Sequence, residues 1–383
     1  MITIKTKPGK EYLRELKKRY QKSSKKEKII ILDEFTQTTG YHRKHAIDLL
    51  RGTYKPHKGA LHRPHKVYSK DDADILEKAY ELLGFICSKR MKPSLTLAVD
   101  ELIKAGKISV TREGRKRIIA VSPATIDRLF TKHKKRPKLK GRSYTKPGTL
   151  LKTQIPIRTF SEWNENKVGF EEIDLVGHDG GLAKGDFAWT LNFVDVKSCW
   201  TEQVAVFNKA QVHVFAGIKR VRTRLPFPLL GLDSDSGAEF INDQLYRYCI
   251  AEEITFTRGR PGKKNDNPYV EQKNDSIVRN WVGYGRFDTQ PQVDTLNELY
   301  QLLRLYTNFF LPVMKLKKKV RIGSKIKKIH DKATTPYRRI LRAKDVSIEV
   351  KDNLRKQYKT LNIITLKEQI DDVLKRLKPT KLG

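Results

Sequence analysis

The pattern that most restricts the fold lies between residues 168 and 310. Three strand-like stretches, VGFEEIDLVGHDG, FAWTLNFVDVKS and TEQVAVFN, follow one another in series. After them AQVHVFAGIKRVRTRL reads as a helix, PLLGLDSDSG as a fourth strand, EFINDQLYRYCIAE as a helix, and ITFTRG as a fifth strand. PYVEQKNDSIVRNWVG is a helix after a loop, and TLNELYQLLRLYTNFF closes the unit near Pro312. Three strands in series followed by β-α-β-α alternation predict an α/β unit, a mixed five-stranded sheet flanked by helices.

The rest of the chain has a different texture. SSKKEKIIILDEFTQTTGYHRKHAIDLLRG reads as two helices around Gly40. Ser24 and Glu27 form a capping box, Ile30, Ile31, Leu32 and Phe35 supply an apolar face, and Ala46, Leu49 and Leu50 turn inward on the second helix. Arg43 and Lys44 turn outward, which is helix-turn-helix grammar as well as that of an ordinary helical hairpin. Beyond a basic linker, Ser69 and Asp72 cap a helix through Leu83, and Ser94 to Ala105 is another. KISVTREGRKRIIAV alternates with period two only in part. Ser122, with Pro123 behind it, opens the short helix ATIDRLF, a possible second helix-turn-helix with Thr125 and Arg128 exposed. TKHKKRPKLKGRSYTKPGTLLK is a cationic boundary segment. At the far end KLKKKVRIGSKIKKIH is very basic around Gly323, a helix starts at Pro336, and LKEQIDDVLKRL reads as an exposed amphipathic helix.

Charge narrows the partners. With 79 Lys and Arg against 43 Asp and Glu, the 383-residue chain carries a formal net charge of +36, spread along its length. Such an excess opposes compaction unless a polyanion neutralises it, and nucleic acid does so with release of condensed counterions. Cys87, Cys199 and Cys249 stand far apart, which excludes a disulfide framework and fits a reducing compartment. The N-terminus lacks a signal-like apolar stretch, and no segment approaches the ~18 apolar residues of a membrane span. The expectation is a cytoplasmic, nucleoid-associated protein without membrane contact.

Three acidic positions stand out in the sheet-forming region: Asp174 in EEIDLVGH, Asp235 in LDSDSGAEF and Glu271 in NPYVEQKN. Asp174 lies in an apolar strand, where an unbalanced carboxylate is costly. Asp235 and Asp233 share a strand face by period, so alternation leaves both open. Converging carboxylates repel one another, and a divalent cation relieves that repulsion; an oxygen-only site suits Mg²⁺ or Mn²⁺.

EEIDLVGH, LDSDSGAEFIN and TRGRPGKKNDNPYVEQKN together resemble the core of the DDE transposase and retroviral-integrase superfamily, especially bacterial insertion-sequence transposases. Thirty-five residues lie between Asp235 and Glu271, the family's spacing, whereas Asp233 would leave 37. Many relatives have Asn at Ser236 and Phe where Gln272 and Lys273 stand; neither departure removes a metal ligand. The resemblance covers roughly residues 155 to 310. It implies an RNase H-like sheet, Asp174, Asp235 and Glu271 as catalytic residues and metal ligands, and two Mg²⁺ (or Mn²⁺) ions per site. It implies a DDE polynucleotidyl transferase: cleavage at transposon ends, then 3′-hydroxyl strand transfer into target DNA. The partners expected are double-stranded DNA, as terminal inverted repeats and as target, and further copies of the chain in a homo-oligomer on DNA. The alternatives are a domesticated sequence-specific DNA-binding protein without strand transfer, and an RNase H-like nuclease.

The expected organisation is a helix-turn-helix DNA-binding region (1–60), a second helical DNA-binding region (61–135), a basic linker (136–154), an RNase H-like catalytic domain (155–312) and a basic C-terminal DNA-binding or assembly region (313–383). DNA contacts are expected from Arg43, Lys44, Thr125, Arg128, Lys263, Lys264, Lys273 and Asn274, with Arg260 beside the loop lysines. His42 and His45, without cysteine partners, do not make a zinc site. His178 and Asp195 are read as structural, and Glu239 as the cap of a helix beginning at Phe240.

Overall fold

The computed structural model describes residues 7–54, 68–130, 154–158, 166–260 and 266–381. Its contacts divide the chain into two compact units, Met1–Val67 and Tyr68–Gly383.

The first unit is built from α1 (Lys7–Lys22), α2 (Lys25–Thr39) and α3 (Arg43–Arg51). Ser24 and Glu27 close the expected capping box, and Gly40, at φ 71°, ends α2 by donating its N–H to the Thr36 carbonyl. The core joins Leu16 and Tyr20 of α1 to Ile31, Leu32, Phe35, Ala46 and Leu50. Two details differ from expectation. The first helix was not anticipated, and Ile30 is 62 % exposed because the inward stripe of α2 runs through Ile31, Leu32 and Phe35 instead.

The second unit holds the sheet. Strands β1 (Phe170–Gly177), β2 (Trp189–Asp195), β3 (Thr201–Val206), β4 (Gly231–Ser234) and β5 (Thr255–Arg258) lie in the order β3-β2-β1-β4-β5. β1, β2 and β3 pair antiparallel, while β4 and β5 run parallel to β1. Between them run α9 (Gln211–Arg222) and α10 (Asp243–Ala251), then α11 (Pro268–Lys273), which passes into a π-helical turn (Asn274–Arg279), and α12 (Gln290–Phe310). The expected α/β architecture with a mixed five-stranded sheet is present.

Strand alternation divides the sheet into two faces. One carries Ile173, Leu191, Phe193, Val204, Leu232 and Phe256, which pack against Val214, Ile218 and Val221 of α9 and Leu245 and Cys249 of α10. The other carries Glu172, Asp174, Asn192, Gln203, Asp233 and Thr257, linked across the strands by register: Asp174 opposite Asn192, Asn192 opposite Gln203, Glu172 opposite Asp233, Asp233 opposite Thr257.

The edge strand β3 is closed by a helix. Asn297 of α12 bonds both the N–H and the C=O of Ala205 (3.0 Å each), and Asn308, three turns on, bonds both groups of Thr201 (2.9 and 2.8 Å). Two amides thus satisfy backbone that would otherwise template a further strand.

The remaining helices are α4 (Lys70–Leu82), α5 (Ser88–Met91), α6 (Leu95–Lys104), α7 (Arg112–Ala120), α8 (Pro123–Leu129), α13 (Pro336–Arg342), α14 (Ile348–Thr360) and α15 (Ile363–Arg376). They share one apolar core with α12. Tyr306 donates to the Leu82 carbonyl, and Ser94 to that of Phe310. Packing therefore draws fewer boundaries than composition does. KISVTREGRKRIIAV contains helix α7, opened by Thr111, rather than alternating strand. Nor is the last helix exposed: Ile363, Ile364, Leu366, Ile370 and Val373 of α15 are buried. Between α12 and α13 stands a separate two-stranded ribbon, β6 (Leu316–Ile322) and β7 (Lys325–His330). Among the described residues, no helix is long and apolar enough to cross a membrane.

Candidate active site

The carboxylates expected to act together come from three elements: Asp174 from the middle of β1, Asp235 from just past the end of β4, and Glu271 from α11. Because β1 and β4 are parallel with Glu172 opposite Asp233, Asp174 and Asp235 lie at one level of the sheet. All three are half-buried. Burial, then the Asp235 carboxylate, then that of Glu271 push Asp174 up to about 7, against the pull of the Leu175 N–H and the Asn274 amide. Asp174 therefore senses the charge of both others.

Each carboxylate is positioned by its surroundings. Asp174 accepts from the Leu175 N–H (2.8 Å) and from Asn274 Nδ2 (2.6 Å). Asn274 in turn accepts from Asn192 Nδ2 (2.9 Å), and Asn192 Oδ1 accepts from Gln203 Nε2 (2.9 Å). A row of amides running from β3 to the helix thus ends on Asp174 and fixes its orientation. Asn274 opens the π-helical turn, a widening of the helix frequent at functional sites, and is a positioning residue rather than a surface contact.

Glu172 does the same for Glu271. Its Oε2 accepts the backbone N–H groups of Tyr269 and Val270 (2.8 Å each), so a carboxylate of β1 caps the helix that carries Glu271. Burial pushes Glu172 well above the usual carboxylate range, with the neighbouring Asp233 and Glu271 adding to the rise. Sequence reasoning missed this residue. Its only signal was a second acid two positions before Asp174, on the same strand face.

Gly237 lets Asp235 sit where it does, by space rather than by conformation. A Cβ there would stand 2.7 Å from Glu239 Cδ and 2.9 Å from Asp235 Oδ1. The Gly237 N–H donates to Asp235 Oδ1 (2.9 Å). Glu239 does not cap a helix at Phe240. Helix α10 begins at Asp243 under Asn242, whose side chain accepts from the Leu245 N–H, and buried Glu239 lies close enough to Asp235 to be pushed up by it after burial.

Asp233 is excluded from the cluster by its own partners. It is 1 % exposed, accepts from Thr257 Oγ1 on β5, and is pushed up to about 7 by burial. His178 is structural: it lies buried against Thr190 Oγ1 (2.7 Å), and burial pushes its pKa down to about 3. Asp195 holds the β2–β3 turn, accepting from Ser198 and from the Gly169 N–H.

The expected DNA contacts fare unevenly. Arg43 and Lys44 are exposed on α3, with Arg43 paired to Asp33. On α8 Arg128 is exposed and donates to Thr125 Oγ1 (3.0 Å), while Thr125 is half-buried. Arg260 is engaged by Asp266 (2.8 and 2.9 Å). Lys263 and Lys264 lie outside the described residues. Lys273 contradicts its expected role: it is 5 % exposed, lines a cavity of about 180 Å³ with Arg90 and Trp281, and burial pushes it down to about 8. The helix turns it inward, away from any surface a duplex could reach.

The donor set suits a hard divalent cation, being all carboxylate, and among the described residues no cation restores the ordinary pKa of Asp174. Asp174, Asp235 and Glu271 are the residues the sequence offers as its ligands. They do not form a closed cage: among the described residues no three His, Cys, Asp or Glu side chains stand close enough to hold one ion.

Comparisons with known proteins bear on the fold and the family. No family model matches the chain. Solved structures that resemble part of it include two integrase core domains. The catalytic core domain of BIV integrase is 20 % identical, over 44 % of this chain and 91 % of that one, with a TM-score of 0.30. The HTLV-2 integrase catalytic core domain, in complex with magnesium, is 14 % identical, over 38 % and 88 %, with a TM-score of 0.29. Overlays of that quality say nothing of activity. A protein of Sinorhizobium fredii (strain NBRC 101917 / NGR234), uncharacterized protein y4rM, is 36 % identical over 322 residues, 84 % of this chain and 91 % of that protein. At that identity and coverage, the chain belongs to the same family as y4rM.

Proposed function

We propose that the protein is a DDE-type polynucleotidyl transferase that cuts DNA at the ends of a mobile element and joins the freed 3′-hydroxyl to target DNA. One observation supports this reading: Asp174 on β1, raised first by burial, is raised further by the carboxylates of Asp235, just past β4, and of Glu271 on α11. The strand order and directions are those of an RNase H-like sheet, which supports the assignment. The +36 net charge supplies the affinity for a polyanionic substrate.

The protein's own residues divide the work. Asp174 and Asp235 come from neighbouring parallel strands and Glu271 from α11. Asn274 holds the Asp174 carboxylate in its orientation, and Glu172 keeps the Glu271 helix seated on β1. Divalent cations bound by the three carboxylates would activate the attacking oxygen and stabilise the leaving oxygen of an in-line phosphodiester displacement. Arg43 and Lys44 on α3 are the proposed end-binding contacts, and pairing two ends requires at least two copies on DNA.

The test is an assay with labelled terminal-repeat DNA, a target plasmid and Mg²⁺ or Mn²⁺. Joined products are expected. Nicks without joining would make the protein a nuclease, and a mobility shift alone would make it a DNA-binding protein.

A further inference from the structure

The ribbon β6–β7 has a composition that a protein rarely exposes without a partner. Residues 316–330 hold seven Lys and Arg and no Asp or Glu. Strands usually bury one face, yet here only Leu316, Val320 and Ile329 are even half-buried, and every other position is exposed. An isolated two-stranded sheet is marginal in water, and like charges placed opposite one another weaken it further. Lys319 nonetheless stands opposite Lys328, with Arg321 next along the same face, while Lys318, Lys325 and Lys327 share the other.

The ribbon is held at its root and at its turn. Val313 and Thr334 bond to each other in both directions (2.9 and 3.1 Å), and Lys315 and Asp331 do so through the Lys315 N–H and the Asp331 N–H (2.7 and 2.9 Å). Asp331 is paired with Arg339 (2.7 Å), and Lys315 Nζ reaches the Val196 carbonyl (2.5 Å). Lys315 also lies over the Tyr269 ring at 5.4 Å, which ties the root to the helix that bears Glu271. At the far end Gly323, at φ 59°, closes a two-residue turn, a conformation glycine adopts without strain. On either side of that turn Ile322 and Ile326 are 62 % and 63 % exposed.

We propose that this ribbon is a sequence-tolerant clamp for duplex DNA, entering the major groove with its two strands and neutralising the flanking phosphates from both faces. The proposal rests on the reading of the protein as a DNA strand transferase and adds the element that grips the duplex. The dimensions agree: seven residues at ~3.4 Å each span roughly 24 Å, and a two-stranded ribbon fits a groove about 12 Å wide. The deep, narrow major groove of A-form RNA excludes it. No Asn or Gln lies between residues 316 and 330 to pair with adenine, so phosphate contacts dominate and one duplex serves about as well as another. Ile322 and Ile326 supply apolar contact at the tip.

The experiment compares the full chain with two triple variants, Lys318→Ala/Lys325→Ala/Lys327→Ala and the same positions changed to Arg, by fluorescence anisotropy on two unrelated 30-base-pair duplexes and an RNA duplex of equal length. Their side chains are exposed, and thermal melts confirm that the fold is kept. The alanine variant is expected to lose about tenfold in affinity for both DNA duplexes. Its log–log salt slope should fall by roughly 2 to 3, at about 0.9 per phosphate contact removed. The arginine variant should bind as the unchanged chain does, and RNA should bind more weakly than DNA. Unchanged DNA affinity in the alanine variant overturns the clamp while leaving the strand-transfer reading intact. Equal losses on DNA and RNA overturn the groove assignment, and failure of the unchanged chain to bind any duplex overturns both readings.

Discussion

The two faces of the five-stranded sheet are made by the same strands and serve opposite ends. The α9–α10 face is mainly apolar, with Ile173, Leu191 and Phe193 each 0 % exposed, though Glu171 and Glu202 are buried on the same side of their strands. The α11–α12 face buries Glu172, Asn192, Gln203, Asp233 and Thr257 around Asp174, and among the described residues Glu172 Oε1, Asp233 Oδ2 and Gln203 Oε1 have no hydrogen-bond partner. Unsatisfied buried polar atoms and raised carboxylates oppose folding. The apolar face offsets that penalty, and what the polar face retains is a set of charges ready to act.

Substitutions on either side should separate these roles. Asp235→Asn should reduce strand joining by about 10³-fold or more, in the range seen when a charge-stabilising group is removed, yet leave DNA binding in place. Joined products from this variant at the unchanged rate would break the comparison. On the opposite face Phe193→Ala should lower stability by about 3–5 kcal/mol, read by denaturant unfolding, with residual activity in proportion to the folded fraction. Asn308→Ala should cost about 1–3 kcal/mol, because the buried Thr201 N–H and C=O lose their partner at the sheet edge.

A subtler effect comes from Asp233. Its folded pKa is pushed up to about 7 from an ordinary 3.8, so between those values the folded state binds more protons than the unfolded one. Stability from this group is therefore present at acid pH and is lost as pH rises toward 7. Asp233→Asn should be more stable than the unchanged chain at pH 8 by up to about 4 kcal/mol and close to it near pH 4. Its strand joining should persist, unlike that of Asp235→Asn. Melts with the opposite pH trend would contradict the burial argument.

What the sequence made legible follows from local physics. Strand-like stretches in series marked all five strands, and Ser24, Ser69 and Ser122 marked helix starts because caps act within four residues. The roles of Glu172 and Asn274 were not legible, since each depends on a partner about a hundred residues away. Lys273 was misread for a related reason: composition gives a lysine to solvent, and only the packing of α12 and the segment around Arg90 against the π-helical turn shows it buried. The amphipathic pattern of α15 was visible, but the face it covers, on α12 and α6, belongs to chain far upstream. Helix α1 escaped notice because its apolar residues are few among many lysines, and Leu16 and Tyr20 find their core only against Phe35.

The account depends on Asp174, Asp235 and Glu271 sharing bound cation, and Mn²⁺ titration followed by electron paramagnetic resonance tests this without reference to turnover. Asp174→Asn, Asp235→Asn and Glu271→Gln, each folded by its melt, should each weaken Mn²⁺ binding by tenfold or more, whereas Asp233→Asn should bind as the unchanged chain does. Undiminished binding in any of the first three would contradict the shared site.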